Sequence, residues 1–207
     1  MWNWNNNKNC YWDTPSEEAY YLAAKWCAEP GKKLLDIGAG IGRHALFFAK
    51  QGIEVTALDI SSNGLNIIRN KADTMGLTIR TIAADMHSIP LENECFDYIV
   101  AYHSIYHTDY SGLTKIIKEM HRLLKKGGEI FLTLLSENDS EFITHHKESD
   151  NKTLIKREEE GTFLTHLYLN ENDIRQLFHE FTIIRIKEVK EYFKKQNPCH
   201  FHLILTK

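Results

Sequence analysis

The sequence predicts an α/β fold in which a mostly parallel sheet carries helices on both faces and ends in an antiparallel hairpin. Short apolar runs alternate with amphipathic helical runs along most of the chain, which is the order expected of strand and helix units. Glycine-rich or polar turns separate these runs. Two strand-like segments, 181–189 and 200–206, flank a charged stretch at the end of the chain and predict the hairpin.

The composition is that of a single globular domain. The chain has 207 residues, of which 43% are hydrophobic and 26% are charged. The net charge is −3 and Lys and Arg are spread along the chain, so nucleic acid is disfavoured as a partner. No apolar run is long enough to span a membrane and no apolar signal core is visible, so we expect a cytoplasmic protein without a membrane partner. The four cysteines form no CxxC pair and the histidines lack zinc-site spacing, so we expect reduced thiols and no metal.

The first 29 residues are predicted to form a lid and a helix. A polar, Asn-rich start leads to Tyr11-Trp12, an aromatic pair that could cover a ligand or pack on the core. The helix is predicted over 15–28, with Thr14 or Ser16 as its cap. Pro30-Gly31 ends it.

The region 30–135 is predicted to be a ligand-binding core that begins with a glycine turn. Leu34 and Leu35 belong to a buried strand, Asp36 follows, and the turn has glycines at positions 38, 40 and 42 before a helix over 45–50. Such a turn lets the backbone approach a ligand closely, and the helix start offers unpaired N–H groups. A carboxylate at this edge would repel the pyrophosphate of a dinucleotide, which favours a different ligand.

Further strands of this core also end in acids. A second strand over 53–59 ends at Asp59, and a helix capped by Ser61 or Ser62 follows it to about Gly76. A third strand over 77–84 leads into Asp85. A fourth strand over 96–100 precedes a His- and Tyr-rich loop, and a helix from about residue 113 is predicted to end in Lys125-Lys126 before a fifth strand over 129–135.

The remainder is predicted as a charged segment and a closing unit. Residues 136–169 are read as a substrate-side insertion with a largely solvated surface. Residues 170–207 are read as a helix opened by a capping box, Asn170 to Asp173, and the hairpin. Candidates for substrate contact in the insertion are His145, His146, Arg157 and His166.

The glycine turn and the acids Asp36, Asp59 and Asp85 resemble class I S-adenosylmethionine-dependent methyltransferases, whose first motif is (D/E)xGxGxG. The run 123–131 resembles the family's LxPGG element, with Lys126 where proline is usual. The Tyr-Trp pair and Gly-Arg-His at 42–44 resemble the small bacterial branch grouped with tellurite-resistance-type methyltransferases. The resemblance implies a Rossmann-like, seven-stranded, mostly parallel sheet with the C-terminal antiparallel hairpin.

The resemblance also implies S-adenosylmethionine as cofactor and assigns roles to residues. Asp59 would bind the ribose, Asp85 the adenine amino group with Met86 on the ring face, and the glycine turn with Asp36 the methionyl end. The full set of candidate cofactor-binding residues is Asp36, Gly38, Ala39, Gly40, Arg43, Asp59, Ile60, Asp85, Met86, Ala101, Tyr102 and Trp12.

The loop after the fourth strand is where we expect the chemistry, because ligands of open α/β sheets lie at the carboxyl ends of the strands. His103 or His107 could act as a general base, and Tyr102 or Tyr106 could line the methyl path, so the candidate catalytic residues are His103, Tyr106 and His107. A packing role for these histidines is the alternative.

The predicted function is transfer of a methyl group to an oxygen, nitrogen or sulfur atom, or another chalcogen, of a small molecule. Two alternatives remain at the level of the sequence: an S-adenosylmethionine-binding sensor or subunit without turnover, and an NAD(P)-dependent dehydrogenase, which Asp36 and the hairpin oppose. The sequence leaves the acceptor and the oligomeric state open.

Overall fold

The computed structural model describes residues 13–145, 152–157, 163–192 and 197–207. The helices of these residues are α1 (Glu17–Trp26), α2 (Arg43–Lys50), α3 (Ser62–Thr74), α4 (Tyr110–Leu123), α5 (Ser140–His145) and α6 (Glu171–Leu177). The strands are β1 (Lys33–Ile37), β2 (Glu54–Asp59), β3 (Ile79–Ala83), β4 (Phe96–Ala101), β5 (Leu124–Ser136), β6 (Thr153–Arg157), β7 (Phe163–Leu169), β8 (Thr182–Lys190) and β9 (Cys199–Thr206).

The sheet confirms the predicted α/β architecture. Its first five strands are parallel in the order β3-β2-β1-β4-β5, and β9 pairs antiparallel to β5 and to β8. These seven strands are the predicted sheet with its C-terminal hairpin. The strand order reverses between β1 and β4, which opens a crevice at the carboxyl ends of these strands.

Two additional strands were not predicted. β6 and β7 form an antiparallel hairpin within the segment that the sequence suggested was a solvated insertion. Leu135 of β5 pairs with His200 of β9 and also with Tyr168 of β7, so β7 flanks β5 on the side opposite to β9, beyond the end of β4. The hairpin therefore stands beside the crevice.

The predicted end of α4 was wrong. The helix ends at Leu123 because Leu124 takes an extended conformation, and Lys125-Lys126 lie in β5. The Lys125 ammonium bonds to Asp97 at 2.9 Å, and the Gly127 N–H donates to the Lys207 carbonyl at 2.8 Å. These bonds fix the start of β5 against its neighbours.

The core packs on both faces of the sheet. Leu35, Ile99 and Leu132 contact α4 and α6 on one face, whereas Leu34 and Val100 contact α1 to α3 on the other. The capping box of α6 is present: the Asn170 side chain accepts from the Asp173 N–H, and the Asp173 carboxylate accepts from the Asn170 N–H. Among the described residues, no helix combines the length and apolar character needed to cross a membrane.

Candidate functional site

The glycine turn after β1 has left-handed backbone and lies in close contact with the loop after β4. Gly38, Gly40 and Gly42 have φ angles of 70°, 56° and 88°, a left-handed region that favours glycine. A Cβ on Gly38 would lie 2.3 Å from the Ser104 Cβ. The Gly38 N–H also donates to the Leu58 carbonyl at 2.8 Å, so the turn is held between β2 and the loop after β4.

Of the three acids, Asp36 is buried and Asp59 is half-buried beside this turn. Asp36 is 3% exposed and accepts a hydrogen bond from the Ala45 N–H at 3.0 Å, at the start of α2. Burial raises the pKa of Asp36 to about 7. The Asp59 carboxylate accepts from the N–H groups of Gly40 and Ser61, both at 2.8 Å, and burial raises its pKa. Both acids therefore lie in a poorly hydrated environment that favours a ligand with donors or positive charge.

The third acid, Asp85, is more exposed. Its carboxylate accepts from the His87 N–H at 2.8 Å and contacts the His87 ring at 2.5 Å. These bonds, led by the backbone bond, lower the pKa of Asp85, so the side chain is a carboxylate at neutral pH. It marks the outer end of the same crevice.

A crevice of about 520 Å³ joins these elements. Its size lies within the ~300–1,000 Å³ typical of small-molecule sites. Of the predicted site residues, Ala101 is fully buried in the core and does not line this crevice, since its side chain points into the sheet packing. Trp12 lies outside the described residues, as do Tyr11 and His146. The remaining predicted residues that line the crevice are Asp36, Gly38, Ala39, Gly40, Arg43, Asp59, Ile60, Asp85, Met86, Tyr102, His103, Tyr106 and His107.

His103 is held in an unusual conformation at the centre of the crevice wall. Its φ is 52°, and its N–H donates to the Thr133 hydroxyl at 2.8 Å. Its ring is stacked between Tyr102 and His200, with centroid distances of 4.1 and 4.3 Å. Burial, and then the neighbouring His200, hold the pKa of His103 well below its ordinary value. The ring is therefore neutral and fixed in orientation.

His107 and His166 contact each other in the crevice wall. Their rings meet edge to face at 4.8 Å, and both line the crevice. The Leu167 N–H donates to the Tyr106 carbonyl at 2.9 Å, which joins β7 to the loop after β4. Burial lowers the pKa of His107 to about 4 and that of His166 to about 3, so both imidazoles are neutral near pH 7.

Several crevice contacts were missed by sequence reasoning. His44 lines the crevice, and its Nε2 lies 3.2 Å from the Ser16 N–H, which ties the start of α1 to the site. His200 and His202 were noted only as a close pair. Their alternation on β9 places them on one face of the strand, and that spacing was a usable signal.

Of the weaker candidates, His166 lines the crevice and His145 ends α5, whereas Arg157 ends β6.

Metal ligands are not gathered at this site. Within the part of the chain that the structure describes, no group of three His, Cys, Asp or Glu side chains could hold a metal ion. The arrangement suits an organic ligand instead, because backbone amides, acids and aromatic rings line one crevice.

Known proteins match part of this sequence, and others have a similar fold. Residues 34–128 match the family model described as a methyltransferase domain. The sterol 4-C-methyltransferase strm-1 of Caenorhabditis elegans is 37% identical over 123 residues, which cover 58% of this chain and 36% of that protein. The sarcosine/dimethylglycine N-methyltransferase of Aphanothece halophytica is 30% identical over 143 residues, which cover 62% of this chain and 50% of that protein. The chain therefore matches half or less of the length of each of these relatives.

A solved structure supports the same assignment at the level of the fold. A protein from Methanosarcina mazei described as a SAM-dependent methyltransferase superposes with a TM-score of 0.79 over 94% of this chain and 98% of that one, at 20% identity. The predicted placement in the tellurite-resistance-type branch stays a prediction. The matched sequence over residues 34–128, the seven-stranded order and the acids around the glycine turn are all similar to those of the class I S-adenosylmethionine-dependent methyltransferases.

Proposed function

We propose that the chain transfers a methyl group from S-adenosylmethionine to an oxygen, nitrogen or sulfur atom, or another chalcogen, of a small molecule. The observation that carries this proposal is the meeting of three strand-end acids and the glycine turn in one crevice that is also lined by His and Tyr side chains of the loop after β4. The first set suits the cofactor and the second suits an acceptor. Neither set alone would support a transfer reaction.

The residues present fit the cofactor. The Asp59 carboxylate lines the crevice and already accepts from backbone N–H groups of Gly40, Ser61 and Ile60, and its remaining acceptor capacity would serve a ribose hydroxyl. Asp36 and Arg43 both line the crevice, where Arg43 would pair with the carboxylate of a zwitterionic methionyl group and Asp36 would accept from its ammonium. Asp85 would accept from the adenine amino group, and Met86 would pack on the ring.

The chain has a limited part in the chemistry. When bound, S-adenosylmethionine supplies a methyl group already activated on a sulfonium. The crevice must then hold the acceptor atom in line with that methyl group and keep water out. His103, Tyr106 and His107 are the residues that we assign to the transfer end. The neutral imidazoles can accept a proton from an acceptor that must lose one.

The acceptor is proposed to be small because the cofactor and the acceptor must share one crevice. The names of the two relatives refer to a carbon of a sterol and to the nitrogen of sarcosine or dimethylglycine, so the family tolerates different acceptor atoms. A cytoplasmic location and the division into lid, core, insertion and closing unit stay predictions. The two residues predicted to act as a lid, Tyr11 and Trp12, lie outside the described residues.

Calorimetric titration tests the cofactor assignment directly. Purified protein is titrated separately with S-adenosylmethionine, S-adenosylhomocysteine and NAD. We expect binding of the first two and none of NAD. Binding of NAD alone would overturn the assignment of Asp36 and of the crevice. Formation of S-adenosylhomocysteine with an acceptor then separates an enzyme from a binding subunit without turnover.

A further inference from the structure

The turn that carries Asp85 folds back on itself and is anchored to α4. The Ser88 N–H donates to the Asp85 carbonyl at 3.2 Å, which closes a turn over residues 85–88 just after β3. The Ile89 N–H then donates to the Glu119 carboxylate of α4 at 2.7 Å. The chain cannot straighten at this point without losing these bonds, so His87 is kept beside the Asp85 side chain.

The His87 imidazole carries a proton on the nitrogen that faces Asp85. Its Nδ1 lies 2.5 Å from Asp85 Oδ1, and the His87 backbone N–H donates to the same oxygen at 2.8 Å. These bonds lower the pKa of Asp85, so it is a carboxylate at neutral pH, and a carboxylate can only accept. Nδ1 is therefore the donor. Among the residues that the structure describes, no donor is bonded to the second oxygen, Oδ2.

The opposite edge of the His87 ring is held at the start of α4. Its Nε2 lies 3.3 Å from the hydroxyl of Thr108, which precedes the cap of this helix. Gly112, in the first turn of α4, leaves the space that the ring and the hydroxyl share, because a Cβ there would lie 1.9 Å from Thr108 Oγ1 and 2.9 Å from His87 Nε2. The imidazole is thus fixed at both of its nitrogens.

This fixed ring restrains an acid that would otherwise rotate. The Asp85 side chain is 58% exposed, and such a side chain loses rotamer freedom when a ligand binds to it. The bonds to His87 impose much of that order before a ligand arrives, which lowers the cost of binding. Asp85 and His87 both line the crevice, and Oδ2 keeps its acceptor capacity for a ligand there.

We propose that His87 is a positioning residue for the base of the cofactor: it holds the Asp85 carboxylate so that Oδ2 selects a purine with an amino group at its 6-position over a purine with a carbonyl group there. An amino group donates to the carboxylate, whereas a carbonyl oxygen would face it with lone pairs of its own. The inference rests on the proposed function, because it takes Asp85 to be the acid that meets adenine. It adds the residue on which that selectivity depends.

The test compares two ligands that differ in their base. Calorimetry measures binding of S-adenosylhomocysteine and of S-inosylhomocysteine, which carries hypoxanthine in place of adenine. We expect the unmodified protein to bind the adenosyl ligand at least about tenfold more tightly, because the other leaves the carboxylate facing an acceptor. In His87→Leu this ratio should fall at least about threefold, because the charged hydrogen bond that orients Asp85 is lost.

A conservative variant and a control separate orientation from packing. In His87→Asn the side-chain amide can take the place of ring Nδ1 and still donate to Asp85, so this variant should keep most of the ratio although Leu fills the space better. His179→Leu is the matched control. His179 is exposed, its Nδ1 lies 2.9 Å from the Gln176 carbonyl, and it does not line the crevice, so the ratio should be that of the unmodified protein.

The outcomes distinguish this inference from the proposed function. An unchanged ratio in His87→Leu overturns the role of His87, and so does a ratio in His87→Asn that is as low as in His87→Leu. Equal binding of the two ligands by the unmodified protein removes Asp85 from the adenine site and the inference with it. Failure of S-adenosylhomocysteine itself to bind contradicts the proposed function instead.

Discussion

The Asp59 carboxylate accepts a hydrogen bond from the Gly40 N–H at 2.8 Å, which joins the end of β2 to the glycine turn after β1. Its other oxygen accepts from the Ser61 N–H at 2.8 Å, at the start of α3. One side chain therefore sets the relative position of the turn and of α3. The same carboxylate lines the crevice at the site proposed for the ribose.

Asp59→Asn should weaken binding of S-adenosylhomocysteine by about 1–3 kcal/mol, because the amide replaces one acceptor oxygen with a donor and leaves a ribose hydroxyl unpaired. Calorimetry measures the change. Asp73→Asn is the control, since Asp73 is an exposed acid on α3. Equal affinity of both variants would remove Asp59 from the cofactor site.

Gly38→Ala should destabilise the fold by steric overlap as well as by backbone strain. Its φ is 70°, and the new Cβ would lie 2.3 Å from the Ser104 Cβ. Gly76 has a φ of 66° and open space around it, so Gly76→Ala isolates the strain. We expect Gly38→Ala to lower the free energy of unfolding in urea by about 1–3 kcal/mol more than Gly76→Ala does. Equal losses would show that the approach of Ser104 does not constrain the turn.

Asp36→Asn should change how stability depends on pH. The pKa of Asp36 is raised to about 7 by burial, so the folded protein holds this proton at a pH where the unfolded chain has released it. The native state therefore loses stability as the pH rises through this range, and Asn, which is uncharged, does not contribute to that loss. The Asn oxygen can still accept from the Ala45 N–H.

The stability of Asp36→Asn relative to the unmodified protein should rise by on the order of 2 kcal/mol between pH 5.5 and pH 8, measured by urea unfolding at both values. A difference that is independent of pH would mean that Asp36 is ionised throughout. If Asp36→Asn instead lost stability relative to the unmodified protein as the pH rises, a cation beside Asp36 would be stabilising its ionised form.

The sequence predicted the parts of the site that depend on local pattern. Asp36, Asp59 and Asp85 follow recognisable strands, and the carboxyl ends of parallel strands meet at one edge of a sheet, so their proximity could be inferred. The glycine spacing likewise predicted a tight turn, and the structure forms it with left-handed backbone at Gly38 and Gly40. These are properties that a few neighbouring residues decide.

The contacts that escaped prediction depend on residues far apart in the chain. His200 stacks on His103 only because β9 returns beside β5, and His44 meets Ser16 only because α1 packs against α2. The hairpin of β6 and β7 was missed because its charged sequence is also typical of a solvated surface. Its attachment to β5 uses the backbone of Leu135 and Ser136, which leaves no pattern in the side chains.

The attachment of α1 to β9 gives a final prediction. The Glu18 carboxylate lies 2.8 Å from His202 Nδ1, and their side chains are 12% and 8% exposed. The hydrogen bond with His202 is the main cause that lowers the pKa of Glu18 to about 2. Glu18→Gln should cost about 1–3 kcal/mol of unfolding free energy at pH 7, because a charged hydrogen bond in a buried place is replaced by a neutral one.

The pH dependence of this cost follows from the lowered pKa. The contribution of Glu18 is complete above its ordinary pKa of about 4.5 and is lost as the pH falls towards 2. The difference between Glu18→Gln and the unmodified protein should therefore be smaller at pH 3.5 than at pH 7 in urea unfolding. Glu17→Gln, a change at the exposed neighbouring acid, should have little effect at either pH. Because His202 also packs against Tyr102 in the crevice wall, loss of this hydrogen bond should weaken the attachment of α1 beside the site. A Glu18→Gln protein as stable as the Glu17→Gln control would show that packing of Leu22 and Trp26 alone holds α1 in place.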